Sequence, residues 1–292
     1  MKYASIIDGK PKPCVIVEEN KVIKLESIFG DKYETLLDFI RFSDNEDKLR
    51  IKKAAEQGSF LNLEDYELSS PIIRPIHDII CVGVNYKDHL EETKKNFGDG
   101  DFKTPDNTVF FGKRALEIMG HNSTINGHLD LDDMLDYEVE LAVVVGKKID
   151  RHSTMMEIED SIFGYTVFND ISARNIQAKR NQWYMGKSLD GFSCMGPWII
   201  PREEIDIKTG LNLYSKVDGE LRQKSNTKYL IKNPFELLYD FSRGITIEPG
   251  DILTTGTPSG VGQGYNPPRF LKKGSVVEVG IEKIGKLINY IK

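Results

Sequence analysis

The chain has 292 residues, 39% of them hydrophobic, and a formal net charge of −6. That is enough for one large core, or for a small unit beside a main one. There is no basic stripe and no Lys/Arg tract interleaved with aromatics, which argues against a nucleic-acid partner, and no run approaches the ~18 apolar residues of a membrane span. Cys14, Cys81 and Cys194 are too scattered for a disulfide framework or a zinc cluster. The opening MKYASIIDGK has no apolar stretch long enough for a signal peptide, so a reducing cytoplasm is the expected compartment.

In chain order, residues 1–70 read as a small N-terminal unit. The strand runs YASII and CVIVEENKVIKL are broken by the turn signals DGKPKP and EEN, and two helical patterns follow, YETLLDFIRF and EDKLRIKKAAEQG. ELSSPIIRPIH, with its two prolines, reads as the linker into a second unit over 71–292. There IICVGVNY is an apolar strand. The charged, glycine-containing stretch 87–106 begins as a helical turn and then loses periodicity, as mobile lids do. NTVFFG, YEVELAVVVGKKI, IFGYTVFND and CMGPWII read as strands, and hairpin turns fall at VDG and KIG. PFELLYDFSRG is a late helix stopped at Gly244. The predicted class is α+β, β-rich, with short helices at the edges.

Chemistry concentrates in a few carboxylates. Side chains alternate along a strand, so Glu138 and Glu140 share one face. A solvated strand edge is the ordinary reading of such a pair. Here the strand runs on as LAVVV, which reads as buried, and two buried carboxylates repel each other unless a cation compensates them. Asp170 closes the strand FGYTVFND, where a turn-forming aspartate is the competing reading. Together the three make an all-oxygen set suited to a hard divalent cation rather than zinc. His89 and Glu92 stand three residues apart on the predicted helical turn, close enough for the carboxylate to orient the imidazole as a general base, or simply to form a surface pair.

The ordered set VGVNYKDHLEE, VFFGK, DYEVELAVVVGK, GYTVFNDISARNIQ, QWYMGKSLDGFSCMGPWI and GDILTTGTPSGVG resembles the fumarylacetoacetate hydrolase family and spans most of residues 79–262. The resemblance implies a mixed β-sandwich or roll catalytic domain behind a small N-terminal domain. It implies Glu138, Glu140 and Asp170 as ligands of Mg²⁺, with Mn²⁺ or Ca²⁺ as substitutes. It implies His89 and Glu92 as the catalytic dyad on a helix that orders over substrate, and Lys187 and Gln177 as stabilisers of developing oxygen charge. Thr257 falls in the loop that holds a substrate carboxylate. Lys113 is expected beside the substrate, and Arg174 either there or as a partner of the acidic cluster. Where many members carry Lys-Pro-Ser, this chain has Gly112-Lys113-Arg114-Ala115, and its segment after His89 is long. Both departures fall where the distal end of a substrate would sit.

The implied reaction is hydrolysis of a C–C bond in an acylpyruvate-like 2,4-dioxo acid, with a small 2-oxo carboxylate as the common handle. Tautomerisation, isomerisation or oxaloacetate-type decarboxylation on the same site is the second reading, and a non-catalytic metal-binding module is the third. A homodimer is expected from the resemblance.

Overall fold

The computed structural model describes residues 1–97, 107–180 and 182–292. It is strand-rich α+β. An eleven-stranded mixed sheet runs Leu61–Asn62, Lys21–Lys24, Lys10–Ile16, Lys2–Asp8, Ser193–Pro201, Ile162–Asp170, Val139–Val145, Ile252–Thr254, Ile79–Gly83 and Val109–Lys113, with Glu67–Ser69 also paired to Lys2–Asp8. A five-stranded sheet runs Glu220–Asn226, Asn212–Val217, Val276–Ile281, Gly285–Ile291 and Ser123–Ile125. Its first hairpin turns at the VDG signal, where Asp218 and Gly219 both hold positive φ, 52° and 82°. That is the backbone a two-residue hairpin loop requires.

The parity of Val139–Val145 organises the interior. Val139, Leu141, Val143 and Val145 face one cluster, shared with Leu213, Val277, Val279 and Leu287 of the smaller sheet. Ala142 and Val144 face a second cluster, shared with Tyr3, Val15, Phe39 and Ile51 of the N-terminal residues. One strand is therefore buried on both sides, which is why its sequence reads as a continuous apolar run. The N-terminal strands join the large sheet through the pairing of Tyr3 with Ile199.

Two helices cover the N-terminal strands. Leu36–Phe42 begins with a capping box between Thr35 and Asp38, and Asn45–Gln57 begins with another between Asp44 and Asp47. The second helix ends at Gly58 in the left-handed region (φ 79°). Asp47 is buried and fully served: Lys32 Nζ donates at 2.8 and 2.9 Å, Tyr33 Oη at 2.5 Å and the Asp44 amide at 3.2 Å. Burial pushes its carboxyl up, but Lys32, Tyr33 and the amide outweigh that and hold it below its ordinary value. Among the described residues no helix is long and apolar enough to cross a membrane.

Candidate metal and substrate site

Strand pairing assembles the carboxylates. The Asp170 amide donates to the Glu138 carbonyl at 2.9 Å, so these two residues lie opposite each other where the strands Val139–Val145 and Ile162–Asp170 meet. Glu140 stands two positions beyond Glu138, on the same face. One carboxylate oxygen from each of Glu138, Glu140 and Asp170 lies within 4.8 Å of the others, and all three residues are buried. A short pairing of Leu135–Asp136 with Ser172–Ala173 brings Asp136 beside them.

Three buried cations face these four carboxylates. Lys187 Nζ bridges Glu138 at 2.8 Å and Asp170 at 2.7 Å. Arg174 reaches Glu138 at 2.6 Å and Asp136 at 2.9 Å. Lys113 donates to Asp170 and, at 2.8 Å, to the Ile171 carbonyl. One negative charge is left in excess, and it falls on Glu140. Among the described residues Glu140 has no ion pair, and the Gly256 amide donates to it at 2.9 Å. Burial, then Asp170 and Glu138, push its carboxyl well above the usual range. Burial also pushes Glu138 up, but Lys187 and Arg174 outweigh it and hold that group at about 2. A divalent cation among the three oxygens would offset that excess, and the all-oxygen donors would fit a hard ion.

Lys187 ends the short helix Tyr184–Lys187, which packs on Arg174–Ala178. Gly186 permits this approach, because a Cβ there would lie 2.7 Å from the Gln177 nitrogen and 2.8 Å from the Ala173 oxygen. Opposite, the helix Lys87–Phe97 follows Val84, a β-branched residue held at φ 55°. That is a rare backbone state for such a side chain. Asn85 pins the turn, its Nδ2 donating to the Thr255 carbonyl at 2.9 Å and the Lys232 carbonyl at 3.0 Å.

On this helix His89 Nδ1 lies 3.0 Å from Glu92 Oε2, and Glu92 Oε1 accepts from the Gly260 amide at 3.0 Å. Ser259 donates to Asp88 at 2.8 Å, a second tie between helix and loop. The stretch expected as a lid, 87–106, begins as the helix Lys87–Phe97, tied to residues 259 and 260 through Asp88 and Glu92, and 98–106 lies outside the described residues.

Residues from these elements enclose one cavity of about 310 Å³. His89, Glu92, Glu138, Glu140, Arg174, Gln177, Lys187 and Thr257 line it, while Asp170 stands behind Lys187. Thr257 has its hydroxyl committed, donating to the Val139 carbonyl at 3.0 Å and accepting from Gln223 at 2.7 Å, so its backbone is the part that faces a ligand. Arg174 is a partner of the acidic cluster, and it also donates to Gln177 at 3.1 Å. Lys113 departs from the sequence reading. It is fully buried behind Asp170, away from the cavity wall, and serves as that carboxylate's counterion.

Sequence reasoning missed Asp136, which anchors Arg174 and accepts from the amides of Gly262 at 2.6 Å and Gln263 at 3.0 Å. It also missed Arg180, Trp183 and Gln263 in the cavity wall. The three-residue spacing of Arg174, Gln177 and Arg180 was a usable signal for Arg180, whereas Gln263 offered none.

A model of the fumarylacetoacetate hydrolase C-terminal family matches residues 78–292. The oxaloacetate tautomerase YisK of Bacillus subtilis is 38% identical over 290 residues, covering 98% of this chain and 94% of that protein. Among solved structures, a fumarylacetoacetate hydrolase from psychrophilic Exiguobacterium antarcticum has a TM-score of 0.82 at 33% identity, covering 100% of this chain and 99% of its own. A probable 2-hydroxyhepta-2,4-diene-1,7-dioate isomerase from Mycobacterium abscessus has a TM-score of 0.79 at 26% identity, covering 100% and 98%.

Proposed function

The chain belongs to the fumarylacetoacetate hydrolase family, and from that premise we propose that it interconverts the enol and keto forms of a 2-oxo acid in a reaction that depends on a divalent cation. The observation that carries this reading is that one cavity holds both a carboxylate cluster short of positive charge and a histidine oriented by a carboxylate. Support also comes from the 38% identical oxaloacetate tautomerase.

Glu138, Glu140 and Asp170 would hold the cation, Mg²⁺ first and Mn²⁺ or Ca²⁺ as substitutes. Bound there, it would supply Lewis-acid polarisation of a 2-oxo acid's oxygens. His89, its Nδ1 held by Glu92, would move a proton to or from the carbon beside the keto group. Glu92 fixes the ring's tautomer and is itself held by the Gly260 amide. Lys187, between Glu138 and Asp170, would stabilise negative charge growing on the adjacent oxygen, with Gln177 assisting. The same reading includes a homodimer and a division near residue 71 into a small N-terminal unit and a catalytic unit.

Hydrolysis of a C–C bond is the second reading. It is favoured by the same dyad, since a histidine held by a carboxylate also orients and deprotonates water, and by the 33% identical fumarylacetoacetate hydrolase structure. The test follows enol loss from oxaloacetate, and pyruvate release from acetylpyruvate, with Mg²⁺, in wild type, H89A and E140Q. Faster ketonisation without pyruvate, slowed by about 10²-fold or more in H89A, is expected. Pyruvate from acetylpyruvate would replace tautomerase by hydrolase, and CO₂ as the main product would point to decarboxylase. Cation binding without any turnover would leave a binding module.

A further inference from the structure

Charge bookkeeping around the cavity reaches beyond the 2-oxo acid head. The floor carries four carboxylates and three cations. With a divalent cation bound, one positive charge is in excess, and the single carboxylate of a 2-oxo acid cancels it. A second carboxylate on the same substrate would have no partner at the floor, where Arg174 and Lys187 are already committed to Asp136, Glu138 and Asp170. An uncompensated charge in such a place is strongly disfavoured.

One lining cation is not committed. Arg174, Gln177 and Arg180 follow one another at three-residue intervals along helix Arg174–Ala178 and the turn after it, where Lys179 keeps helical angles (φ −71°, ψ −7°). Each three-residue step keeps successive side chains adjacent on the helix surface, and all three line the cavity. They grade outward from Arg174, 7% exposed, through half-buried Gln177 to exposed Arg180. At ~1.5 Å of rise per residue, Arg180 starts roughly 9 Å along the axis from Arg174, and it is the most exposed of the three. Among the described residues no carboxylate lies within 4.0 Å of that guanidinium. Gln263 lines the cavity from the facing loop, and Phe111 and Trp183 supply apolar wall.

We propose that Arg180 is the specificity-determining residue for a distal carboxylate, so that the site takes 2-oxo diacids in preference to 2-oxo monoacids of similar length. This rests on the 2-oxo acid reading above. A guanidinium grips a carboxylate through two parallel hydrogen bonds, which a lysine ammonium does not reproduce.

The test separates this inference from the reading beneath it. N-oxalylglycine and its glycinamide analogue share an oxo-carboxylate head and a common length, and differ only in the distal carboxylate. Their dissociation constants are measured by calorimetry on Mg²⁺-loaded wild type, R180A and R180K. In parallel, KM and kcat are measured for oxaloacetate and for a monoacid, read as solvent deuterium entering beside the keto group. Wild type should prefer the diacid, R180A should lose about tenfold or more of that preference, and R180K should keep part of it. The loss should appear in KM more than in kcat. An unchanged diacid preference in R180A overturns the assignment, as does a wild type without any preference. If wild type exchanges no deuterium with either acid, the enolisation reading fails, and the calorimetric preference still decides Arg180.

Discussion

Two buried carboxylate centres in this molecule make an instructive pair. Asp47, among the N-terminal residues, is a single acid surrounded by a lysine, a tyrosine and a backbone amide, and nothing around it is left unanswered. The cluster of Glu138, Glu140 and Asp170 is equally buried, but its cations are shared unevenly. Lys187 and Arg174 serve Glu138, Lys113 and Lys187 serve Asp170, and Glu140 has a backbone amide. Burial of charge is common to both and so does not separate structure from function. Balance does. A satisfied acid strengthens the fold, and an acid repelled by its neighbours is a place prepared for something else.

The comparison breaks most sharply at Glu140. E140Q should lower kcat/KM by about 10³-fold or more, as loss of a cation ligand would. The metal-free variant should melt no lower than wild type, because a repelled carboxylate is gone. The stabilisation by Mg²⁺ expected of wild type through mass action should also vanish. A metal-free E140Q that melts well below wild type would mean that Glu140 is as satisfied as Asp47. Next comes K113M, which takes one counterion from Asp170. Removing one member of a buried ion pair costs about 3–5 kcal/mol, read by urea denaturation, and millimolar Mg²⁺ should restore part of it.

The smaller effect belongs to the N-terminal centre. D47A should cost about 1–3 kcal/mol through the lost hydrogen bonds and capping box, with kcat/KM unmoved. Its pH dependence has a definite sign. The Asp47 carboxyl is held below its ordinary value of 3.8 in the folded chain. Its contribution is therefore complete above that value and is lost as pH falls through the lower folded value. The gap between wild type and D47A should be constant near neutrality and should close in acid. A gap that widened in acid would mean the carboxyl is not held low.

Much of this was legible in the chain itself. Alternation put Glu138 and Glu140 on one face, and the apolar run beyond them announced a strand covered on both sides, as the two clusters flanking Val139–Val145 bear out. The 3-residue step of His89 and Glu92 foretold their contact. What stayed hidden depends on chain direction after a turn. Lys113 was read as a substrate neighbour, yet its strand aims it behind Asp170. Asp136 looks like one more acid in LDDMLDYE, and its importance comes from amides 126 and 127 residues away. Gln263 and Trp183 sit in loops whose facing is set by what they pack on. The join of Tyr3 to Ile199 links residues too distant for any local pattern to pair.

The pairing of Glu138 with Asp170 has a consequence for how such a chain changes over generations. Asp170 ends a strand and Glu138 immediately precedes another, and each of these strands has a hydrogen-bonded neighbour on each side. One residue inserted between Tyr137 and Leu141 would turn a glutamate to the opposite face, and two would recover the facing at an offset of ~6.6 Å. A length change within this frame would therefore take the centre apart, whichever residue carried it.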